Sequence, residues 1–150
     1  MPSMNTPGIK ASDVWAGVGL KKYTLAKIHQ ANPVTSDWYT ILDTTLNVIL
    51  SYIIVKHTYT EARGLTIQIT IDGVVMTSAT IDVTNDENWF VYIDPTATAE
   101  PIVGAATTVI PVYQFIPLEG RSVKVEFRTL ELIDGGAALQ GAAHYHVREP

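Results

Sequence analysis

The sequence predicts an all-β protein: an antiparallel β-sandwich of the jelly-roll type, with eight to nine strands and an extended N-terminal arm. From Lys21 onward, apolar and polar residues alternate along most segments, which is typical of strands with one buried face. Turn-forming residues separate these segments at short intervals. No segment shows the apolar periodicity of a helix of ordinary length, so we expect two packed sheets.

Nine segments are predicted to form strands, and two of them alternate most clearly. Every second residue of segment 65–71 is aliphatic, and in segment 122–132 the charged residues Lys124, Glu126 and Arg128 share one face. The predicted strands are residues 23–29, 38–43, 48–58, 65–71, 74–83, 89–93, 109–117, 122–132 and 138–147.

Glycine-containing turns and one long loop separate these strands. Asp72-Gly73 favours a type I′ hairpin turn, in which both central residues have positive φ. Asp134-Gly135-Gly136 predicts another reversal, between the last two strands. Residues 94–108 are rich in Pro, Thr, Ala and Gly, and we expect a long loop there that contacts a partner.

The 150 residues suffice for one domain, which we place at residues 21–150, preceded by an arm at residues 1–20. The arm contains two prolines and three glycines, yet it also carries the large aromatic residue Trp15. Because an exposed Trp is costly, we expect Trp15 to pack either on its own domain or on a neighbouring chain. Ile9, Val14 and Trp15 are the expected anchors of the arm.

Charged residues make up only 17% of the chain, against about a quarter in ordinary soluble proteins. Either part of the surface is covered by a partner, or a large core lies under a Thr-rich surface. The net charge of −5 argues against nucleic-acid binding, which needs clustered cations. The first 60 residues carry five Lys and three Asp, whereas the remainder is acidic; this asymmetry suits either head-to-tail contact between like subunits or scattered solvated charge.

The absence of cysteine excludes disulfides, thiolate zinc sites and thiol nucleophiles. No charged segment followed by an apolar run opens the chain, so we expect no secretory signal. The longest apolar run, residues 48–55, is interrupted by Ser51 and Tyr52 and is interpreted as a buried strand rather than a membrane span.

Two groups of residues are candidates for metal binding, each beside a simpler interpretation. On a strand, His144 and His146 face the same side and form half of a metal site, or else an exposed pair. Asp82, Asp86 and Glu87 offer oxygen ligands for calcium, but their spacing is not that of an EF-hand, and a solvated turn is the alternative.

The sequence lacks the patterns of nucleophilic and nucleotide-dependent catalysis. It contains no G-x-S-x-G elbow, no P-loop and no G-x-G-x-x-G segment. His29 and His57 lie within predicted strands and are interpreted as structural. We therefore expect a protein that is not an enzyme and has no cofactor.

Exposed aromatic residues are the remaining candidates for function. Alternation places Trp89 and Phe90 on opposite faces of one strand, so one of the two faces outward. An outward aromatic group indicates either a subunit contact or a platform on which sugar rings stack. The candidate residues are Trp38, Tyr39, Trp89, Phe90 and Tyr92.

Residues 36–80 resemble the small β-sandwich virion proteins of tailed bacteriophages. Three successive runs carry the resemblance: Tyr39-Thr-Ile-Leu-Asp43, Val48-Ile-Leu-Ser-Tyr-Ile, and Leu65-Thr-Ile-Gln-Ile-Thr-Ile-Asp-Gly73. Thr44-Thr-Leu-Asn47 stands where those proteins usually have a Gly-rich step, which leaves the subfamily open.

The resemblance implies a capsid decoration (cement) protein that stabilises a shell. Such proteins are often trimers of like subunits that bind a major capsid or other virion protein, and some reach a neighbour with an extended arm. The implied location is the virion, after synthesis in the host cytoplasm, with no membrane or nucleic-acid partner. The alternative is a carbohydrate-binding or host-attachment module of a tail or fibre.

Deleting residues 1–20 is expected to leave a folded domain that assembles poorly. The arm adds contact area on a neighbour, and its apolar anchors offset an ordering cost of about 1–2 kcal/mol per residue. Circular dichroism and sedimentation of the truncated chain test this. An unfolded truncated chain would instead place the arm in the core.

Overall fold

The computed structural model describes residues 20–93, 102–106 and 118–148. Within these ranges the chain forms eleven β-strands and no helix. The strands are β1 (Leu20–Ala31), β2 (Tyr39–Thr44), β3 (Val48–His57), β4 (Arg63–Ile71), β5 (Val74–Thr77), β6 (Ile81–Val83), β7 (Trp89–Ile93), β8 (Ile102–Ala106), β9 (Leu118–Gly120), β10 (Val123–Thr129) and β11 (Ala138–Arg148).

The strands form two antiparallel sheets. The six-stranded sheet has the order β1-β11-β3-β7-β8, with β9 also paired to β3. The five-stranded sheet has the order β2-β10-β4-β5, with β6 also paired to β4. The first four strands alternate between the sheets, and β10 and β11 insert between earlier strands, which is the double Greek-key order of a jelly roll. The predicted fold class is thereby confirmed.

Aliphatic side chains from both sheets fill the space between them. On the inner face of β3, Ile53 and Val55 are at most 2% exposed, and on β4 Leu65 and Ile67 are fully buried. Phe127 of β10 is also fully buried and is the largest side chain of the core. The alternating aliphatic residues of segment 65–71 therefore lie on the inner face of the sheet, as predicted.

Two β-bulges adjust which residues face the core. In β2, Leu42 pairs with Val125 and Thr40 pairs with the next residue, Glu126, so Ile41 is an extra residue without a partner in the register. Both Ile41 and Leu42 are buried. Between β3 and β11 the register passes from Tyr52 to Leu50, so Ser51 is extra. Strict alternation fails at both places because each extra residue reverses the facing of the side chains beyond it.

The two sheets approach closely at Gly141 of β11, as they also do at Gly104 of β8 and Gly120 of β9. A Cβ atom at this position would lie 2.7 Å from Cδ1 and 2.9 Å from Cγ1 of Ile41, and 3.3 Å from Cζ of Phe127. Ile41 and Phe127 both belong to the opposite sheet. Glycine is therefore required here because any side chain would separate the sheets or displace Ile41.

Both predicted turns are present. Asp72 and Gly73 have φ of 50° and 84° between the paired residues Ile71 and Val74, as a two-residue hairpin turn of type I′ requires. Gly135 and Gly136 also have positive φ, but the strands they separate, β10 and β11, lie in opposite sheets. The second turn therefore connects the two layers of the sandwich.

The predicted strand 74–83 is wrong as a single element, because it is divided into β5 and β6. Ser78 causes the division: its N–H donates to the carbonyl of Ile67 at 2.8 Å, and its Oγ accepts from the N–H of Ile67 at 2.9 Å. The side chain thus occupies the place of a ladder carbonyl, and the backbone leaves the sheet.

The predicted loop 94–108 is wrong in part, because residues 102–106 form β8. This strand pairs with β7, with Ile102 opposite Ile93 at one end and Ala106 opposite Trp89 at the other. The remainder of that loop lies outside the described residues, as does the predicted strand 109–117. The predicted arm, with Ile9, Val14 and Trp15, also lies outside them, except that Leu20 begins β1. The strand count exceeds eight to nine because of β8, β9 and the divided segment.

Replacing Gly141 by Val is expected to lower the free energy of unfolding by about 1–3 kcal/mol, the usual cost of overpacking a core. Urea unfolding measures this. The control is Ala31→Val, which adds methyl groups at an exposed position of the neighbouring strand β1 and is expected to change stability by less than about 0.5 kcal/mol. Equal effects of the two substitutions would contradict the close approach of the sheets.

Candidate functional site

The outer face of the five-stranded sheet is polar across β2, β4 and β10, and β5 adds the exposed Val75 beside Thr70. Neighbouring strands place polar side chains side by side in rows, such as Thr40 beside Glu126 and Gln68. Lys124, Glu126 and Arg128 share this face, as predicted from the sequence. The outward residues of β2, β4 and β10 are Thr40, Asp43, Thr66, Gln68, Thr70, Lys124, Glu126 and Arg128. A face of this kind is suited to water.

The outer face of the six-stranded sheet is apolar at its centre. The register places His144 between Leu25 and Tyr52, and it aligns Ala142, Ile54 and Phe90 in the adjacent row. We call these six residues the aromatic face. Leu25 is 42% exposed, and the other five are partly exposed. The two outer surfaces of the sandwich therefore differ in chemistry.

Three rings of the aromatic face contact one another across β11, β3 and β7. The imidazole of His144 stacks on the ring of Tyr52, with centroids 4.0 Å apart and an interplanar angle of 19°. The rings of Tyr52 and Phe90 lie 5.5 Å apart at 37°. Burial lowers the pKa of His144, so the imidazole is neutral at physiological pH. The rings thus form a continuous, uncharged surface.

A shallow groove of about 570 Å³ borders the aromatic face. Lys27, His29, Lys56 and Gln140 contribute its polar lining, and Ile54 and Ala142 are among its apolar residues. The Gln140 amide donates to Nδ1 of His29 at 2.9 Å, and Lys56 pairs with Asp86 at 2.8 Å. Among the described residues that line the groove there is no carboxylate, so these residues do not form a pair of acid and base groups.

The structure separates the aromatic residues singled out from the sequence. Phe90 belongs to the aromatic face, whereas Trp89 and Tyr39 pack against the core, and the Tyr39 hydroxyl accepts from the N–H of Val34 at 2.8 Å. Trp38 lies in the other sheet layer, where the guanidinium of Arg128 stacks 4.5 Å from its ring. The side chain of Tyr92 lies outside the description. These residues therefore do not form one platform.

Sequence reasoning missed Tyr52 and Ile54. The interpretation of residues 48–55 as a buried strand holds for one face of β3, where Ile53 and Val55 are buried, whereas Tyr52 and Ile54 on the other face are partly exposed. Tyr52 was the available signal, since its hydroxyl makes it a poor choice for a two-sided core strand.

The metal candidates occupy two places. His144 and His146 share the outer face of β11, as alternation predicts. Asp86 pairs with Lys56, Glu87 accepts a hydrogen bond from the Thr84 hydroxyl, and Asp82 is exposed. Across residues 20–93, 102–106 and 118–148, no three His, Cys, Asp or Glu side chains are grouped so as to hold a metal ion.

His57 is a structural residue of the interior. It is fully buried; its Nδ1 accepts from the N–H of Tyr59 at 3.2 Å, and its Nε2 donates to the carbonyl of Val83 at 2.6 Å. Both ring nitrogens are therefore satisfied only in the neutral form. Burial lowers the pKa of His57 below its ordinary value of 6.5.

No protein-family model matches the sequence, and no curated protein matches it. Among solved structures, the backbone is similar to a chain of the cyanophage Pam1 capsid asymmetric unit, with a TM-score of 0.45 and 12% identity over 98% of this chain and 99% of that one.

The backbone is also similar to chains from infectious bursal disease virus. In the Gx strain the TM-score is 0.38 with 12% identity over 86% of this chain, and in the VP2 subviral particle it is 0.30 with 16% identity over 86%. This chain corresponds to 34% and 33% of the length of those two chains. In the part of the chain that is described, no helix has the length and apolar character needed to cross a membrane.

The depressed pKa of His57 predicts a loss of stability in acid. The unfolded state takes up a proton below pH 6.5 and the folded state only at lower pH, so the free energy of unfolding falls as the pH drops below 6.5. The slope is expected to approach about 1.4 kcal/mol per pH unit until the folded state is also protonated.

The measurement is urea unfolding between about pH 7.5 and pH 5, in a His144→Gln background that removes the other lowered histidine. Adding His57→Gln is expected to reduce stability at neutral pH and to flatten the acid slope. An unchanged slope would mean that another group carries the pH dependence.

Proposed function

We propose that this chain is a non-catalytic structural protein of a virus particle, which assembles with like subunits through the aromatic face. The observation that carries the proposal is the difference between the two outer surfaces. One sheet presents polar and charged side chains, whereas the other presents Tyr52, Ile54, Phe90 and Leu25. Subunit contacts are built from apolar and aromatic residues of this kind.

A second copy of the chain is the occupant that the composition of this face favours. The centre of the face carries no charge, because His144 is held neutral by its surroundings. Lys27 and Lys56 lie at its border, in the adjoining groove. An apolar, aromatic centre with a polar rim is the anatomy of interfaces between stable partners.

The filled interior supports a structural role over catalysis. Jelly rolls serve as capsid domains, lectins and cupins, and the last class needs an internal site between the sheets. In the described residues that space is occupied by aliphatic side chains and closed by the contact of Gly141 with Ile41. Fold analogy alone does not choose a function; the filled core favours the two binding classes.

Within the virion, we place the chain as a capsid decoration (cement) protein. The sequence resemblance of residues 36–80 supports this role, with trimers of like subunits bound to a major capsid protein. Residues 1–20 are proposed as the arm that reaches a neighbour, anchored by Ile9, Val14 and Trp15. The location of the mature protein is then the virion.

Substituting Phe90 by Lys is expected to dissociate the oligomer. A charge at the centre of an apolar contact is costly, and loss of a central aromatic residue typically weakens association by about 2 kcal/mol, or roughly thirtyfold. Sedimentation equilibrium of the wild-type chain is expected to show a closed oligomer, and of the variant a monomer. Thr70→Lys is the matched control, since it adds the same charge to the opposite outer face.

The virion role is tested separately with gradient-purified particles. Mass spectrometry is expected to find the wild-type chain in a fixed ratio to the shell protein, the Phe90→Lys chain depleted and the Thr70→Lys chain retained. A monomeric wild-type protein, or a Thr70→Lys effect equal to that of Phe90→Lys, contradicts assembly through the aromatic face. A chain that forms oligomers but is missing from particles contradicts the virion role.

A further inference from the structure

Arg128 and Trp38 form an isolated pair on the polar outer face of the five-stranded sheet. Tyr39, the first residue of β2, pairs with Phe127 of β10. Trp38 directly precedes β2, and Arg128 follows Phe127 on β10. The guanidinium carbon of Arg128 lies 4.5 Å from the centre of the Trp38 ring. Stacking of this kind fixes the plane of the guanidinium and leaves its N–H groups, which lie in that plane, for other partners.

One N–H group of the Arg128 guanidinium has no hydrogen-bond acceptor. The Nε atom of Arg128 is buried and has no hydrogen-bond partner. The same is true of Arg148 Nε, but Nη1 of Arg148 pairs with Glu119, whereas Arg128 has no carboxylate partner among the described residues. Arg63, in contrast, donates to the carbonyl of Leu132 and pairs with Glu61. A buried donor without an acceptor is rare in folded proteins and calls for an explanation, because it has lost its water without a replacement.

The carboxylate of Glu126, on the same strand, does not accept a hydrogen bond from Arg128 because it is engaged elsewhere. Glu126 is two residues away on the same face and only 9% exposed. Its Oε1 pairs with Lys124 Nζ at 2.7 Å, and its Oε2 accepts from the Gln68 amide at 3.4 Å. No ion pair of Arg128 occurs within the described residues. Its Nε is buried but the residue is partly exposed, so a ligand would meet this permanently charged group at its terminal nitrogens.

The geometry points to a carboxylate ligand. A guanidinium presents parallel N–H groups whose spacing matches the two oxygens of a carboxylate, and such charge-assisted pairs are the strong ones. Thr66 lies beside Arg128 but is buried, whereas Thr40 and Gln68 in the next row are at least partly exposed. The hydroxyl of Thr40 and the amide of Gln68 can exchange hydrogen bonds with sugar hydroxyls, and an indole ring packs on the apolar side of a sugar.

We propose that Trp38 and Arg128 form a binding site for an acidic sugar, with the carboxylate on the guanidinium. A protein side chain is the less suited ligand, because contacts of that kind are surrounded by apolar residues, and here the surroundings are polar. The site lies on the sheet opposite the aromatic face, so it does not depend on assembly through that face. A particle that carries the chain would thereby present acidic-sugar sites on its other side.

The experiment uses the full-length chain, uniformly labelled with ¹⁵N, and titrates it with glucuronic acid, N-acetylneuraminic acid, glucose and sodium acetate. The side-chain Nε–H signal of Arg128 and the indole signal of Trp38 are followed by NMR. Both acidic sugars are expected to shift the two signals together in a saturable way, at lower concentration than acetate, while glucose has no comparable effect.

Substitutions separate the carboxylate contact from general charge. Arg128→Lys keeps the charge but removes the fork of N–H groups, and it is expected to weaken acidic-sugar binding about tenfold or more. Lys124→Gln removes a cation from the same face and is the matched control, expected to change affinity by less than about twofold.

Glucose binding equal to that of glucuronic acid, an acetate response equal to that of the sugars, or Arg128→Lys binding as well as the wild type would overturn the proposal. Saturable binding of an acidic peptide in place of the sugars would overturn it as well and would assign the site to a protein partner. Each of these outcomes is independent of the oligomeric state measured by sedimentation.

Discussion

The close packing of the two sheets is the constraint on which the rest of this molecule depends. At Gly141 the six-stranded sheet comes so near to Ile41 and Phe127 that there is no room for a Cβ atom. Around this contact, fully buried residues such as Ile67 and Val125 fill the space between the layers. The described core residues of both layers thus lie against one another, and the two outer faces are where the sheets can contact partners.

The outer faces are free to diverge because the inner faces alone hold the sheets together. In an antiparallel strand, each outward position lies between two inward ones, and its side chain is not constrained by the core. This chain uses that freedom in opposite ways. The five-stranded sheet carries Lys124 paired with Glu126, whereas the six-stranded sheet carries stacked rings of His144 and Tyr52. The first surface suits polar ligands and the second suits an apolar partner.

Polar groups inside the sandwich are few, and they define where strands end. Ser78 substitutes its hydroxyl for a backbone carbonyl opposite Ile67 and thereby separates β5 from β6. His57 closes β3 by accepting from Tyr59 and donating to Val83. Each of these groups is satisfied by backbone, as burial demands. The Nε atoms of Arg128 and Arg148 have no such partner, and of the two only Arg128 also lacks a carboxylate among the described residues.

The sequence by itself determined the fold class, the Asp72-Gly73 turn and the inner faces of the clearest strands, because turn geometry and alternation depend on residues a few positions apart. It did not reveal the bulges at Ile41 and Ser51, which reverse the facing of the strands beyond them. It also missed β8, whose short Gly- and Ala-containing segment resembles a loop until it pairs with β7.

Only the tertiary structure decided which outward residues become neighbours. Tyr52, Phe90 and His144 lie on three strands that are distant in the sequence, and they meet because the jelly-roll order places β3 between β11 and β7. Trp38 and Arg128 meet for the same reason, through the pairing of β2 with β10. Strand order is set by the packing of the whole chain, whereas alternation is local, and so the elements were predictable but the surfaces they form were not.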